Sequence, residues 1–191
     1  MNTTSESFFE AKYSSATDPW DFAQSPYELA RYHAILAALA PHRFRLGVEP
    51  GCSVGVLTEK LAAICDRVEA CDLSETAVER ARQRCAGLPN VDISHGSLTT
   101  LLPQDADLYL FSEVGYYLTQ DDLRAHLESA INVLAPSATL LACHWLGSSP
   151  DHILSGDQVH DLLHQLPSLQ HEYAERHPQF RLDRWTKRNP Q

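Results

Sequence analysis

The stretch VEPGCSVGVLT, Val48 to Thr58, sets two glycines, Gly51 and Gly55, on either side of Ser53, with an acid, Glu49, just ahead of them. Glycines so spaced allow sharp backbone turns and close approach to a ligand, and a helix starting directly after them offers its amide-rich N-terminus. A second acid, Asp72, ends the next apolar run about twenty residues on, where a carboxylate can accept both hydroxyls of a ribose. The loop reads E-x-G-x-S-x-G, not the G-x-G-x-x-G of dinucleotide loops, and its acid is poor company for a diphosphate. Such an acid is tolerable beside the amino group of an amino acid and the positive sulfonium of S-adenosylmethionine. The competing readings are a plain strand-to-helix turn for the loop and a helix cap for Asp72.

Such residues need a scaffold, and the hydrophobic pattern predicts one. Strands are expected at Phe44–Glu49, Arg67–Asp72, Val91–Ser94, Asp107–Phe111, Thr139–Cys143, Leu169–Tyr173 and Phe180–Trp185. Helices are expected from Pro26 to Pro41, Val56 to Ile64, Glu75 to Cys85, Asp121 to Leu134 and Gly156 to Leu166. The alternation predicts an α/β fold: a Rossmann-like, doubly wound, mostly parallel seven-stranded sheet with helices on both faces and an antiparallel last strand. With 191 residues, 43% of them hydrophobic, we expect a single domain. Its expected parts are a polar arm with embedded aromatics (1–25) that packs back on the body, a covering helix (26–41), a cofactor-binding core (44–145) and a C-terminal helix with edge strands (146–191).

A formal net charge of −10 argues against nucleic acid as a partner. The five cysteines, Cys52, Cys65, Cys71, Cys85 and Cys143, lack C-x-x-C spacing and point to a reducing compartment. With neither a signal-peptide pattern nor a membrane-length apolar run, a soluble, cytoplasmic protein is expected, with no membrane partner.

Four segments together, VEPGCSVG (Val48 to Gly55), ACDLS (Ala70 to Ser74), HGSL (His95 to Leu98) and DLYLFSEVGYYL (Asp107 to Leu118), resemble the class I S-adenosylmethionine-dependent methyltransferases. More narrowly, DPWDF (Asp18 to Phe22), SEVGYYL (Ser112 to Leu118), CHW (Cys143 to Trp145) and SGDQVH (Ser155 to His160) are similar to the nodulation protein S group of N-methyltransferases, which methylate a free amine on a de-N-acetylated amino sugar. The resemblance implies that Glu49, Gly51, Ser53 and Gly55 line the amino-acid end of the cofactor, that Asp72 holds its ribose and that Leu73 lies beside the adenine. Gly96, Ser97 and Leu98 correspond to the adenine turn, where many relatives carry Asp after the Gly. Ser112, Glu113 and Val114 would face the cofactor's reacting end.

Methyl transfer to an amine requires in-line approach and removal of a proton. Glu113 is expected to orient or deprotonate the ammonium, His144 to act as a base and Tyr116 to orient, with Tyr117 close by. Trp20, Tyr27 and Tyr32 would cover the acceptor, and His160, at the end of SGDQVH, would approach it. The expected partners are a small-molecule or oligosaccharide acceptor, bound by a monomer or weak homodimer. Two further readings stay open: methylation of another small nucleophile, at oxygen or nitrogen, and a non-catalytic module that only binds the cofactor. His160 and His164 sit at the i, i+4 spacing of a metal pair near Asp157 and Asp161, but without a clear third ligand they read as a solvated helix face, and no metal is expected. Arg181, Arg184, Lys187 and Arg188 read as a solvated strand edge and tail.

Overall fold

A computed structural model describes residues 5–189. The first four residues of the expected arm and the last two of the chain lie outside the described residues. In chain order the elements are α1 (Glu6–Ser15), α2 (Pro26–Leu39), β1 (Phe44–Pro50), α3 (Val56–Leu61), β2 (Cys65–Asp72), α4 (Glu75–Arg84), β3 (Val91–His95), β4 (Leu108–Ser112), a 3₁₀ turn (Gly115–Tyr117), α5 (Gln120–Val133), β5 (Thr139–Trp145), α6 (Gly156–His164), β6 (Leu169–Arg176) and β7 (Phe180–Lys187). The strands form a seven-stranded mixed sheet of order β3-β2-β1-β4-β5-β7-β6. The chain divides into two compact units.

The unit of residues 5–101 holds β1, β2 and β3, all parallel, with Glu49 paired to Ala70 and Asp72 to His95. Val48, Val68 and Ala70 are buried, as befits strands covered on both faces. Ser74 caps α4 by accepting from the Ala77 amide at 3.1 Å, and Pro26 starts α2 at a position where a missing N–H costs nothing.

The expected arm contains a helix that its polar composition concealed. Ser5 caps α1, and the helix docks on α4 through complementary ends. Glu10 accepts from the Ser74 hydroxyl at 2.6 Å and from the Thr76 hydroxyl at the start of α4. Arg80 donates to the carbonyls of Tyr13, Ala16 and Thr17 at the end of α1, at 2.9, 3.0 and 3.0 Å. An acid at one helix N-terminus and a base at another's C-terminus both oppose the macrodipoles, and the Ser74 and Thr76 hydrogen bonds pull the Glu10 carboxyl down to about 2.

The unit of residues 102–189 holds β4, β5, β7 and β6. β4 (LYLFS) is buried throughout and runs parallel to β5. β7 returns antiparallel to β5, and β6 completes an antiparallel hairpin at the sheet edge, its outward residues exposed. A capping box between Ser155 and Gln158 fixes the start of α6. The five cysteines are free and buried, so they pack as small apolar groups. Among the described residues no helix is long and apolar enough to cross a membrane.

Candidate functional site

In the N-terminal unit the chain leaves β1 through a left-handed turn, with φ of 73° at Gly51, 52° at Ser53 and 79° at Gly55. At Gly55 a Cβ would stand 3.0 Å from both Cα and Cβ of Ala81 on α4, so both φ and packing require glycine. Asp72, at the end of β2, ties the turn together. Its Oδ2 accepts from the Ser53 amide at 2.8 Å and its Oδ1 from the Ser74 amide at 2.9 Å. A carboxylate has about four lone-pair directions, and these bonds, with a further pull from the Leu73 amide, leave part of that capacity for a ligand. Burial pushes the Asp72 carboxyl upward against the pull of those amides.

Glu49 lies buried below the loop and accepts from the Thr58 hydroxyl at 2.6 Å. Burial raises it to about 7, with the Thr58 hydrogen bond and the Arg31 charge opposing. From Val48 to Thr58 the segment carries no lysine or arginine. Gly96, Ser97 and Leu98 follow β3 in a tight turn: the Gly96 amide donates to the Asp72 carbonyl at 3.0 Å and the Ser97 amide to Thr100 Oγ1 at 2.7 Å. Leu73 is half-buried, and its carbonyl meets His95 Nε2 at 2.9 Å. The nine expected cofactor residues of this unit thus gather around the carboxyl ends of β1, β2 and β3.

Residues from the arm join them. Tyr13 donates from its hydroxyl to Ser53 Oγ at 2.6 Å, Trp20 meets the Tyr13 ring edge-on at 5.4 Å, and Phe22 stacks on Trp20 at 5.7 Å. Tyr27 is half-buried on α2. Tyr32, expected over the acceptor, is instead an interior residue. It shares the inward face of α2 with Glu28, Arg31 and Ile35, and the Arg31 guanidinium lies 4.9 Å from its ring centre.

In the C-terminal unit, β4 ends at the buried Ser112 and turns sharply at Glu113, whose φ is 59°. For a residue with a side chain that conformation costs on the order of 1 kcal/mol, and such strain concentrates at functional turns. Glu113 is held twice: Oε1 accepts from the Trp145 amide at 2.8 Å and Oε2 from the Tyr116 hydroxyl. Val114 and Tyr117 are half-buried on either side of Gly115, where a Cβ would stand 2.6 Å from Val159 of α6. His152 stacks face-on over Tyr116 at 3.8 Å, while the backbone beside it binds the Tyr116 carbonyl through Ile153 and Leu154. Burial holds the His152 imidazole below its ordinary pKa, against the charges of Asp151 and Glu113. Sequence reasoning missed both Tyr13 and His152, because each meets its partner only through the fold.

His144 and His160 require correction. Both are fully buried. The Gly115 amide donates to His144 Nε2 at 3.1 Å, so the proton of His144 sits on Nδ1 and is donated to His160 Nε2 at 3.2 Å. His160 in turn donates from Nδ1 to Asp183 Oδ2 at 2.6 Å. His144 therefore has no nitrogen left to act as the expected base, and His160 faces Asp183 instead of an acceptor. The pair holds the Glu113–Tyr116 turn against β7 of the same unit.

The loop is thus built from backbone amides around two buried acids, Glu49 and Asp72, and the turn after the fourth strand carries another acid, Glu113. The family model for nodulation protein S matches residues 6–162. The chain belongs to the nodulation protein S family. Within that family it is 32% identical over 143 residues to nodulation protein S of Bradyrhizobium diazoefficiens, covering 71% of this chain and 65% of that one. Nodulation protein S of Rhizobium tropici is 31% identical over 134 residues, covering 66% and 55%. The chain therefore spans less than two thirds of the length of these curated relatives. The fold matches the crystal structure of the N-methyltransferase NodS from Bradyrhizobium japonicum WM9 in complex with S-adenosyl-L-homocysteine, with a TM-score of 0.83 over 98% of this chain and 99% of that one at 24% identity. A crystal structure of a candidate methyltransferase from Pseudomonas syringae is 35% identical over 84% of this chain and 99% of that one, with a TM-score of 0.72.

Proposed function

We propose that this chain, acting as one domain, is an S-adenosylmethionine-dependent N-methyltransferase whose acceptor is a free amine on a deacetylated amino sugar or oligosaccharide. The observation that carries the cofactor is the loop itself: Glu49 and Asp72 surround it with acid, the segment from Val48 to Thr58 has no lysine or arginine of its own for a diphosphate, and Asp72 keeps part of its accepting capacity for ribose hydroxyls. Its membership of the nodulation protein S family supports the amine acceptor.

In this reading Glu49, Gly51, Ser53 and Gly55 hold the amino-acid end of the cofactor and Asp72 the ribose. Leu73, Gly96, Ser97 and Leu98 frame the adenine, and Ser112 and Val114 border the reacting end. The cofactor supplies an electrophilic methyl group on a sulfonium. The residues of this chain bind the amine, strip its proton and hold its lone pair in line. Glu113 carries the ammonium: Tyr116 and the Trp145 amide hold its two oxygens in a set orientation. His152, neutral at working pH because burial lowers its pKa, accepts the proton on a ring nitrogen. Tyr116 orients Glu113, His144 is a positioning residue beneath the turn, and Trp20, Tyr27 and Tyr117 offer ring faces to a sugar.

The test offers S-adenosylmethionine with a labelled methyl group and three acceptors: a glucosamine oligosaccharide with a free terminal amine, its fully acetylated counterpart and a simple alcohol. Label on nitrogen of the first alone supports the proposal. Label on oxygen points to the other methyltransferase reading, and cofactor binding without turnover on any acceptor points to a binding module. Either result overturns the amine assignment.

A further inference from the structure

The C-terminal unit contains a second cluster of chemistry-bearing side chains that the methyl-transfer reading leaves unused. His164 ends α6, His171 lies on β6, and Asp183 lies on β7, and their ligand atoms all fall within 4.8 Å of one another. Nε2 of His171 stands 2.8 Å from Asp183 Oδ1, and Nε2 of His164 stands 3.8 Å from the same oxygen. A tetrahedral zinc ion with bonds of roughly 2.0–2.1 Å separates its ligands by about 3.3 Å, midway between those two distances. The two imidazoles are 33% and 35% exposed while Asp183 is buried, so one side of the cluster is open to water and to an incoming ion.

We propose that His164, His171 and Asp183 form a binding site for a divalent transition metal, zinc by preference, with water in the fourth position. Two imidazoles and one carboxylate suit zinc, cobalt or nickel and disfavour magnesium or calcium, which take oxygen ligands. Local construction supports the site. The pairing of β6 with β7 slips between His171 and Tyr173, and a bulge of this kind redirects the side chains beside it. The ring of Trp185 lies beneath both histidines, 5.2 Å from His164 and 5.4 Å from His171, and limits their rotation.

The other oxygen of Asp183 is already set for the task. Oδ2 accepts from His160 at 2.6 Å and from Arg181 Nε at 2.7 Å, leaving Oδ1 toward the two histidines. Such outer contacts orient metal-bound carboxylates. Arg181 does not leave the cluster cationic, because it also donates to Asp157 and Asp161, and Arg176 joins Asp157. Three acids against two bases leave one negative charge for an incoming cation. An ion there ties α6, β6 and β7 together and rests on the same aspartate that holds His160, His144 and the Gly115 amide in sequence.

The sequence pattern paired His160 with His164, but α6 turns His160 inward, and the partners of His164 come from strands instead. The test titrates zinc into the intact protein at slightly alkaline pH against a chelating dye, and cobalt with optical absorption as a readout of geometry. His164→Gln, His171→Gln and, as a control on an exposed histidine of α2, His33→Gln are compared with the wild type. The expected result is one zinc per chain, a raised melting temperature and tetrahedral cobalt bands. Each of the two site variants should lose about tenfold or more in affinity, with its metal-free melting temperature near that of the wild type. The control should bind as the wild type does, and S-adenosylmethionine binding should be unaltered in all of them. Absence of saturable uptake, or uptake that persists in both site variants, overturns the proposal.

Discussion

Asp72 and Asp183 are both buried aspartates on strands, yet their oxygens keep different company. Asp72 accepts from the backbone amides of Ser53 and Ser74, with a further pull from the Leu73 amide, and burial pushes its carboxyl upward. Asp183 accepts from His160, His171 and Arg181, and although burial alone would raise it, those partners hold it well below the usual carboxylate range. The first is held by backbone amides, which in the proposed reading leaves its charge to the ribose hydroxyls. The second spends Oδ2 on His160 and Arg181, which braces the turn that carries Glu113, and turns Oδ1 toward His164 and His171. Buried acid alone therefore does not say which ligand a site suits; what distinguishes the two is whether backbone amides or basic side chains surround it.

That contrast can be broken, most forcefully at Asp72. Asp72→Ala should weaken S-adenosylmethionine binding by two orders of magnitude or more, because the ribose partner and the tie across the loop vanish together, whereas Asp183→Ala should leave cofactor affinity nearly unaltered. Next in size, Asp183→Ala should cost about 3 kcal/mol or more in stability, read by denaturant unfolding, since it strands a buried imidazole and a guanidinium. A cost below about 1 kcal/mol would mean that the network adds nothing beyond packing.

The pH dependence of the two acids should run in opposite directions. Glu49 shares the raised character of Asp72: the unfolded chain releases its proton near 4.5 and the native state holds it to about 7, so stability falls as pH rises between those values. The lowered Asp183 does the reverse, its contribution being present above 3.8 and lost as pH falls below that value. Glu49→Gln should therefore flatten the decline of melting temperature toward neutral pH, and Asp183→Asn should soften the loss in acid. An unchanged profile in the Glu49 variant would show that its burial costs nothing. Smallest of all, Tyr13→Phe should weaken cofactor binding only severalfold, because it removes one hydroxyl from Ser53 and leaves the loop amides in place.

What could be read from the chain in advance divides along the same line. The left-handed loop after β1, the acid Asp72 at the end of β2 and the turn after β3 were legible as structure because their signals are local: a glycine spacing, an acid at a strand end, a serine cap. The alternation of strands and helices was legible because period-2 and period-3.6 patterns are local too. His144 and His160 were misread because the chain shows residue types and not what their nitrogens already bond, and the nitrogens are decided by Gly115 and by Asp183, which lies 23 residues beyond His160. Tyr13 meets Ser53 across 40 residues, and α1 hides in polar sequence because it is held by its caps and by α4 more than by an apolar stripe.

The account rests most directly on the loop as an S-adenosylmethionine site, and calorimetric titration of the intact protein with that cofactor and with NAD, in the wild type and in Asp72→Asn, tests it. It predicts saturable binding of S-adenosylmethionine by the wild type, a large loss in the variant at unchanged melting temperature, and no binding of NAD. Absence of S-adenosylmethionine binding by the folded wild type, or equal binding by the two proteins, would contradict it.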